Sequence, residues 1–158
     1  VRLNLNQKLI TAEQIEFDNN ILHRSKVLKH FLDNNEEISR TERDLKTVYK
    51  RIKKNKKYFL SIMDIVVLES LRYDGISLPE DLDFGSISSQ LTIPQNLENL
   101  VNQKQTGLVM LKIIEIIGED DIRNLDPETI YFLNSILNKM NLKKIRNNIL
   151  SETLPVRV

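Results

Sequence analysis

Apolar residues recur along most of this chain with a helical spacing and nowhere with a sustained alternation of two. After a short extended lead-in over residues 1–10, the stretch TAEQ (Thr11 to Gln14) has the spacing of a capping box. It predicts a helix to about Leu32, with Ile15, Ile21, Leu22, Leu28, Phe31 and Leu32 near helical spacing. Asp33 to Glu37 interrupts it, and Asn34 or Asn35 is the expected cap of a second helix. Ile38, Leu45, Ile52 and Phe59 then follow at intervals of seven, with Val48 and Ile62 three residues after members of that series. This is the spacing of a coiled-coil seam. Thr41 and Asn55 interrupt the seam, so a hairpin arm or a long packed helix is expected, with a break near Lys54-Asn55-Lys56.

Tyr58 to Tyr73 is apolar almost all round, which predicts a helix buried on most faces and stopped by Asp74-Gly75. Residues 74–93 contain Gly75, Pro79, Gly85 and several serines without a clean period, and read as an irregular connection. The pattern after it is more regular. Pro94 opens a helix carrying Leu97, Leu100 and Val101, and GLVMLKIIEIIG forms a second that ends at Gly118. Asp126 as cap and Pro127 in the first turn open a third, and LKKIRNNILSETL forms a fourth, stopped by Pro155. The expected fold is therefore all-α, with six or seven helices. A hairpin or arm over 1–73, the connection at 74–93, and two helix–turn–helix units over 94–155 would form one continuous unit.

The two units share a register. Pro94 and Pro127 stand 33 residues apart, Leu97 falls over Ile130 and Leu100 over Leu133. After a slip of one residue Leu108 falls over Leu142 and Leu111 over Ile145. A period in the low thirties built from two helices is the pattern of an α-solenoid. Over residues 94–155 the chain resembles tetratricopeptide-type repeats, although Gly107 is the only small residue where that family packs its helices closely. The resemblance implies a scaffold whose stacked helix pairs offer a concave surface to a protein partner. The polar residues Lys143, Lys144, Arg146, Asn147, Asn148 and Ser151 would make the last helix a terminal cap.

Composition narrows the function classes. The 158 residues are 41% apolar and 28% charged, enough for one folded domain. The absence of cysteine excludes disulfides and thiolate metal sites. Residues 1–73 carry 15 Lys/Arg against 10 Asp/Glu, and residues 74–158 carry 8 against 12, so a basic front balances an acidic back to a net +1. No stretch is long and apolar enough for a transmembrane helix. The first residue is Val1, so the sequence is expected to be processed or part of a longer chain, and the compartment stays open. Abundant Asn, Ile and Lys fit an AT-rich, bacterial genome.

Few residues offer chemistry. The run KRIKKNKK places Lys50, Arg51, Lys53, Lys54, Lys56 and Lys57 together and is the candidate contact for nucleic acid or an acidic surface. Its bland reading is the solvated C-terminal end of a helix, favourable to the helix dipole. His23 and His30 are seven apart, whereas a helical zinc pair prefers four, so both are expected to be ordinary, partly exposed histidines. Glu119, Asp120, Asp121 and Asp126 lack the ligand order of a calcium loop. Nor do Asp74, Glu80, Asp81 and Asp83 show it. No catalytic, cofactor or metal residue is assigned. A non-enzymatic module that binds protein, with self-association through the seam as a further expectation, is the leading reading. A nucleic-acid-binding helical domain is the alternative.

Overall fold

A computed structural model describes residues 22, 25–32, 37–55, 60–82 and 93–154. Among them are seven α-helices and no strand: α1 (Lys29–Leu32), α2 (Ile38–Lys54), α3 (Ile62–Tyr73), α4 (Gln95–Asn102), α5 (Thr106–Ile117), α6 (Pro127–Lys139) and α7 (Lys143–Thr153). The expected all-α class is what the chain adopts.

Two long buried helices organise it. In α3, Ile65, Val66, Val67, Leu68 and Leu71 are fully enclosed. In α6, every residue from Thr129 to Asn138 is buried. The two helices pack against each other along their lengths. Because α6 is apolar on opposite faces, it joins two cores. Ile130 and Tyr131 meet α3 with Leu28, Phe31, Leu45 and Val48. Phe132, Leu133, Ile136 and Leu137 meet Leu97, Val101, Val109 and Ile113 of the α4–α5 hairpin. Burying a Leu or Ile side chain is worth about 1.5–3 kcal/mol, so this double use makes α6 the main apolar bond between front and back.

The helix ends follow local chemistry. Ser61 starts α3 with a complete capping box: its hydroxyl accepts the Asp64 N–H at 3.2 Å, and Asp64 Oδ2 accepts the Ser61 N–H at 3.1 Å. The helix expected from Tyr58 therefore begins at Ile62, and residues 56–59 lie outside the described residues. Asp126 caps α6 by accepting the Thr129 N–H at 2.8 Å, with Pro127 in the first turn as expected. Pro94 is extended (ψ 133°), so it precedes α4 as its cap rather than entering the first turn. The two prolines thus stand one position apart in their units. Three helices close with the paired hydrogen bonds of a Schellman motif, around Gly75 (φ 86°), Lys104 (φ 54°) and Asn141 (φ 60°).

Two expectations change at the front. A turn at Leu22 and the cap at Ser25, whose hydroxyl accepts the Val27 N–H at 3.3 Å, start a new helical segment there. A single helix from Thr11 to Leu32 is thereby excluded, while Thr11 to Gln14 lie outside the described residues. The seven-residue seam packs inward only in part. Leu45 and Val48 are buried in the α3 core, whereas Ile38 is 48% exposed. Helix α2 stops at Lys54, where Asn55 turns extended, at the break expected from its weak helix formers.

Candidate functional site

The basic run lies on the last two turns of α2. Lys50, Arg51, Lys53 and Lys54 are exposed there, while Lys56 and Lys57 lie outside the described residues. Lys53 is already engaged: its ammonium pairs with Asp81 and lies 5.1 Å from the centre of the Tyr49 ring. The Asp81 hydrogen bond pushes the Lys53 pKa up, and the same contact pulls Asp81 down. Arg51, Lys53 and Lys54 occupy the last turn, where cations complement the carbonyl end of a helix.

His30 is enclosed, at 4% exposure, which corrects the expectation of a partly exposed ring; His23 lies outside the described residues. His30 Nε2–H donates to Asp74 Oδ2 at 2.7 Å, and Nδ1 shares a 3.2 Å hydrogen bond with the Thr41 hydroxyl. Asp74 also receives both ends of the Arg146 guanidinium, which donates from its other edge to Asn138 and Asn147. Burial opposes ionisation of Asp74. The hydrogen bonds from His30 and Arg146, with the charges of Arg146 and Lys143, outweigh it and hold the carboxyl well below its usual range. Every ring nitrogen and guanidinium edge here has a protein partner, so the cluster joins α1, α3 and α7, and the amide Nδ2 of Asn138 is the one buried donor in it left without a partner among the described residues.

A second polar group lies on the other side of α3. Glu69, Arg72, Tyr131, Ser135, Glu98 and Lys139 line a cavity of about 320 Å³. Tyr131 donates its hydroxyl to Glu69 Oε1 at 3.3 Å. Burial pushes the Glu69 carboxyl up, and burial followed by the charge of Glu69 pushes Tyr131 to about 12. Burial thus favours the protonated form of Glu69. Tyr131, held protonated, is a donor and not a base. The acidic loop, by contrast, serves local structure: Asp121 caps a 3₁₀ turn and pairs with Arg123 at 2.6 Å, which holds it at about 2. Among the described residues no three His, Asp or Glu side chains converge as a metal site.

The least satisfied part of the surface is apolar. Helix α5 carries Leu108, Val109, Met110, Leu111, Ile113, Ile114, Ile116 and Ile117, yet only Val109 and Ile113 are buried. Leu108 is 50% exposed, Leu111 63% and Ile114 61%. Lys112 and Glu115 run beside this stripe and neutralise each other at 2.8 Å. Both also line an adjoining groove of about 240 Å³ with Pro94, Leu97, Leu100, Ile116 and Phe132. A helix apolar on all sides is expected to be enclosed, and this one is covered on one side only. The sequence pattern marks α5 as apolar but cannot show that its neighbours reach only half of it.

Among the described residues no helix is long and apolar enough to cross a membrane. No family model, no curated protein and no solved structure matches this chain.

Proposed function

We propose that this chain is a non-enzymatic helical interaction module that binds protein through the exposed face of α5. The observation that carries this reading is the stripe Leu108–Leu111–Ile114, three large apolar side chains at least half open to water on one helix. A contiguous apolar patch rimmed by charge is the usual mark of a protein contact. The polar clusters support no competing chemistry as well: the Asp74 carboxylate is taken up by His30 and Arg146, and Glu69 is held by Tyr131.

The solenoid arrangement belongs to the same proposal. Leu97 and Ile130, equivalent in the 33-residue register, are both buried, and the equivalent pair Leu111 and Ile145 are both exposed. Helix pairs that each leave the same apolar position open are suited to stacking against a further surface. The cations of α2 support the nucleic-acid alternative less, because Lys53 is matched by Asp81 and also lies over the adjacent Tyr49 ring.

The test is a pull-down from cell extract with the wild-type chain and Leu111→Glu, at low and high salt and with nuclease. Protein retained by the wild type through both treatments, and lost with Leu111→Glu, is the expected result. Retention that disappears with nuclease or at high salt, and is indifferent to Leu111, would transfer the function to Lys50–Lys54.

A further inference from the structure

The charges around α5 are arranged against its own dipole. The N-terminal end of a helix favours acidic groups and the C-terminal end basic ones. Helix α5 has no acidic residue in its first turn and no basic residue in its last. Instead Lys104 stands two residues before its start, and Glu119 and Asp120 follow its end. All three are exposed, and none of them takes part in the ion pairs seen among the described residues. Lys104 is out of place a second time. It occupies the left-handed position of a Schellman motif, at φ 54°, where the equivalent positions after α3 and α6 hold Gly75 and Asn141, residues suited to that conformation. Within one copy, then, Lys104 is held at some cost in a strained backbone position; its charge suits the C-terminal end of α4, which it closes, and opposes the N-terminal end of α5.

Both features acquire a purpose if a second α5 packs antiparallel on the first. We infer that the occupant of the exposed stripe is a second copy of this chain, joined by an isologous α5–α5 contact about a twofold axis near Leu111. This deepens the interaction reading above and rests on it. In that register Leu111 meets Leu111 of the other copy and Leu108 meets Ile114, so the three exposed side chains cover one another. Lys104 then falls beside Gly118–Glu119 of the other copy. Each acidic loop comes to the opposite helix N-terminus, and each lysine to the opposite C-terminus. Charges that oppose the dipole within one chain complement it between two, twice over by symmetry. A 12-residue helix is about 18 Å long, so the contact is small and the dimer concentration-dependent.

Sedimentation equilibrium of the full chain over a wide concentration range, at low salt, tests this. The wild type is expected to move from monomer to dimer. Leu111→Glu is expected to stay monomeric with unchanged helical circular dichroism, since that side chain is mostly outside the fold. Lys104→Glu is expected to dimerise roughly tenfold more weakly, because two symmetry-related rim contacts turn repulsive. The decisive variant combines Lys104→Glu with Glu119→Lys and Asp120→Lys, which re-forms the pairs between residue 104 and residues 119–120 of the other copy while leaving the helix dipole opposed, and is expected to recover part of the affinity lost with Lys104→Glu alone. A wild type that is monomeric throughout, a dimer indifferent to Leu111→Glu, or a charge swap that dimerises no more tightly than Lys104→Glu alone would each overturn the proposal. A monomeric wild type that still retains a different protein in a Leu111-dependent way overturns the dimer and leaves the interaction reading standing. A monomer with no Leu111-dependent capture overturns both.

Discussion

Arg146 grips Asp74 across 72 residues of chain with two parallel hydrogen bonds, Nη1 to Oδ1 at 2.8 Å and Nη2 to Oδ2 at 2.7 Å. The pair ties the last helix to the C-terminal cap of α3, and His30 brings in the segment before α2 through the same carboxylate. Arg146 also lies 5.5 Å from the centre of the Phe31 ring, so its charge is enclosed by partners on every edge. Such an ion pair is costly to break from one side, because the survivor keeps its charge where little of it reaches the surface.

Asp74→Ala is therefore expected to destabilise the chain by about 3–5 kcal/mol, leaving Arg146 buried and unmatched. The same carboxylate has a pH signature. Its pKa is depressed in the fold relative to the ordinary 3.8. Its stabilisation is thus fully present above that value and is lost as pH falls toward the lower folded pKa. Melting temperature should drop as the pH is taken below about 4. Asp74→Asn should be less stable at neutral pH and show a shallower acid slope. Thermal unfolding followed by circular dichroism at a series of pH values checks both.

Val66→Asp tests the centre of α3. Val66 is fully enclosed, and an aspartate there would be a buried charge with no partner. The expected loss exceeds about 4 kcal/mol, enough to unfold many domains of this size. Ile38→Asp, on the exposed start of α2, should stay within about 0.5 kcal/mol. Urea unfolding of the two variants side by side gives the contrast, and equal effects would place α3 at the surface.

Much of this architecture is visible in the residue pattern, for reasons that are local. Asp126-Pro127 start a helix, and Gly75 and Gly118 end one, through their own backbone and cap chemistry, so these boundaries can be read without knowing the fold. Ser61-x-x-Asp64 carries the same kind of signal, and it places the start of α3 more accurately than the apolar run does. The polar clusters depend on distant pairings. Nothing near Asp74 indicates Arg146, and nothing near His30 indicates Asp74. The depth of α6 is disguised by Asn134, Ser135 and Asn138. Asn134 donates to the Ser70 hydroxyl at 2.8 Å and Asn138 accepts from Arg146 at 2.9 Å, so polar residues stand in a core that periodicity would read as a surface. The exposed face of α5 is the converse case, an apolar pattern that ran out of neighbours.

Glu69→Gln should stabilise the chain at neutral pH. Burial raises the Glu69 pKa above its ordinary 4.5, so the folded state holds that proton more tightly than the unfolded chain does. The contribution of Glu69 is favourable below about 4.5 and is lost as pH rises through the folded value. Glutamine keeps an acceptor for the Tyr131 hydroxyl and carries no charge to desolvate. The variant should melt higher than the wild type at neutral pH, and the difference should shrink toward pH 4. A variant that melts lower at neutral pH would mean that the ionised carboxylate is a useful partner for Arg72 and Lys139 across the cavity.

Gly107→Ala isolates a backbone effect. Gly107 is the second residue of α5, its φ is not in the left-handed region, and an added Cβ would meet no atom within 4 Å. Nothing inside the fold requires glycine there. Glycine leaves the unfolded chain more conformations to lose, so replacing it where the backbone already suits alanine stabilises by roughly 0.4–1 kcal/mol. The expected outcome is a melting temperature raised by a few degrees for a domain of this size, measured at a concentration where the chain is monomeric. Gly75→Ala supplies the opposite sign. It also has open space, but at φ 86° the alanine is strained, and the Schellman end of α3 that positions Asp74 should weaken. If both alanines destabilise, the start of α5 is held by a close approach that leaves no room for a methyl group.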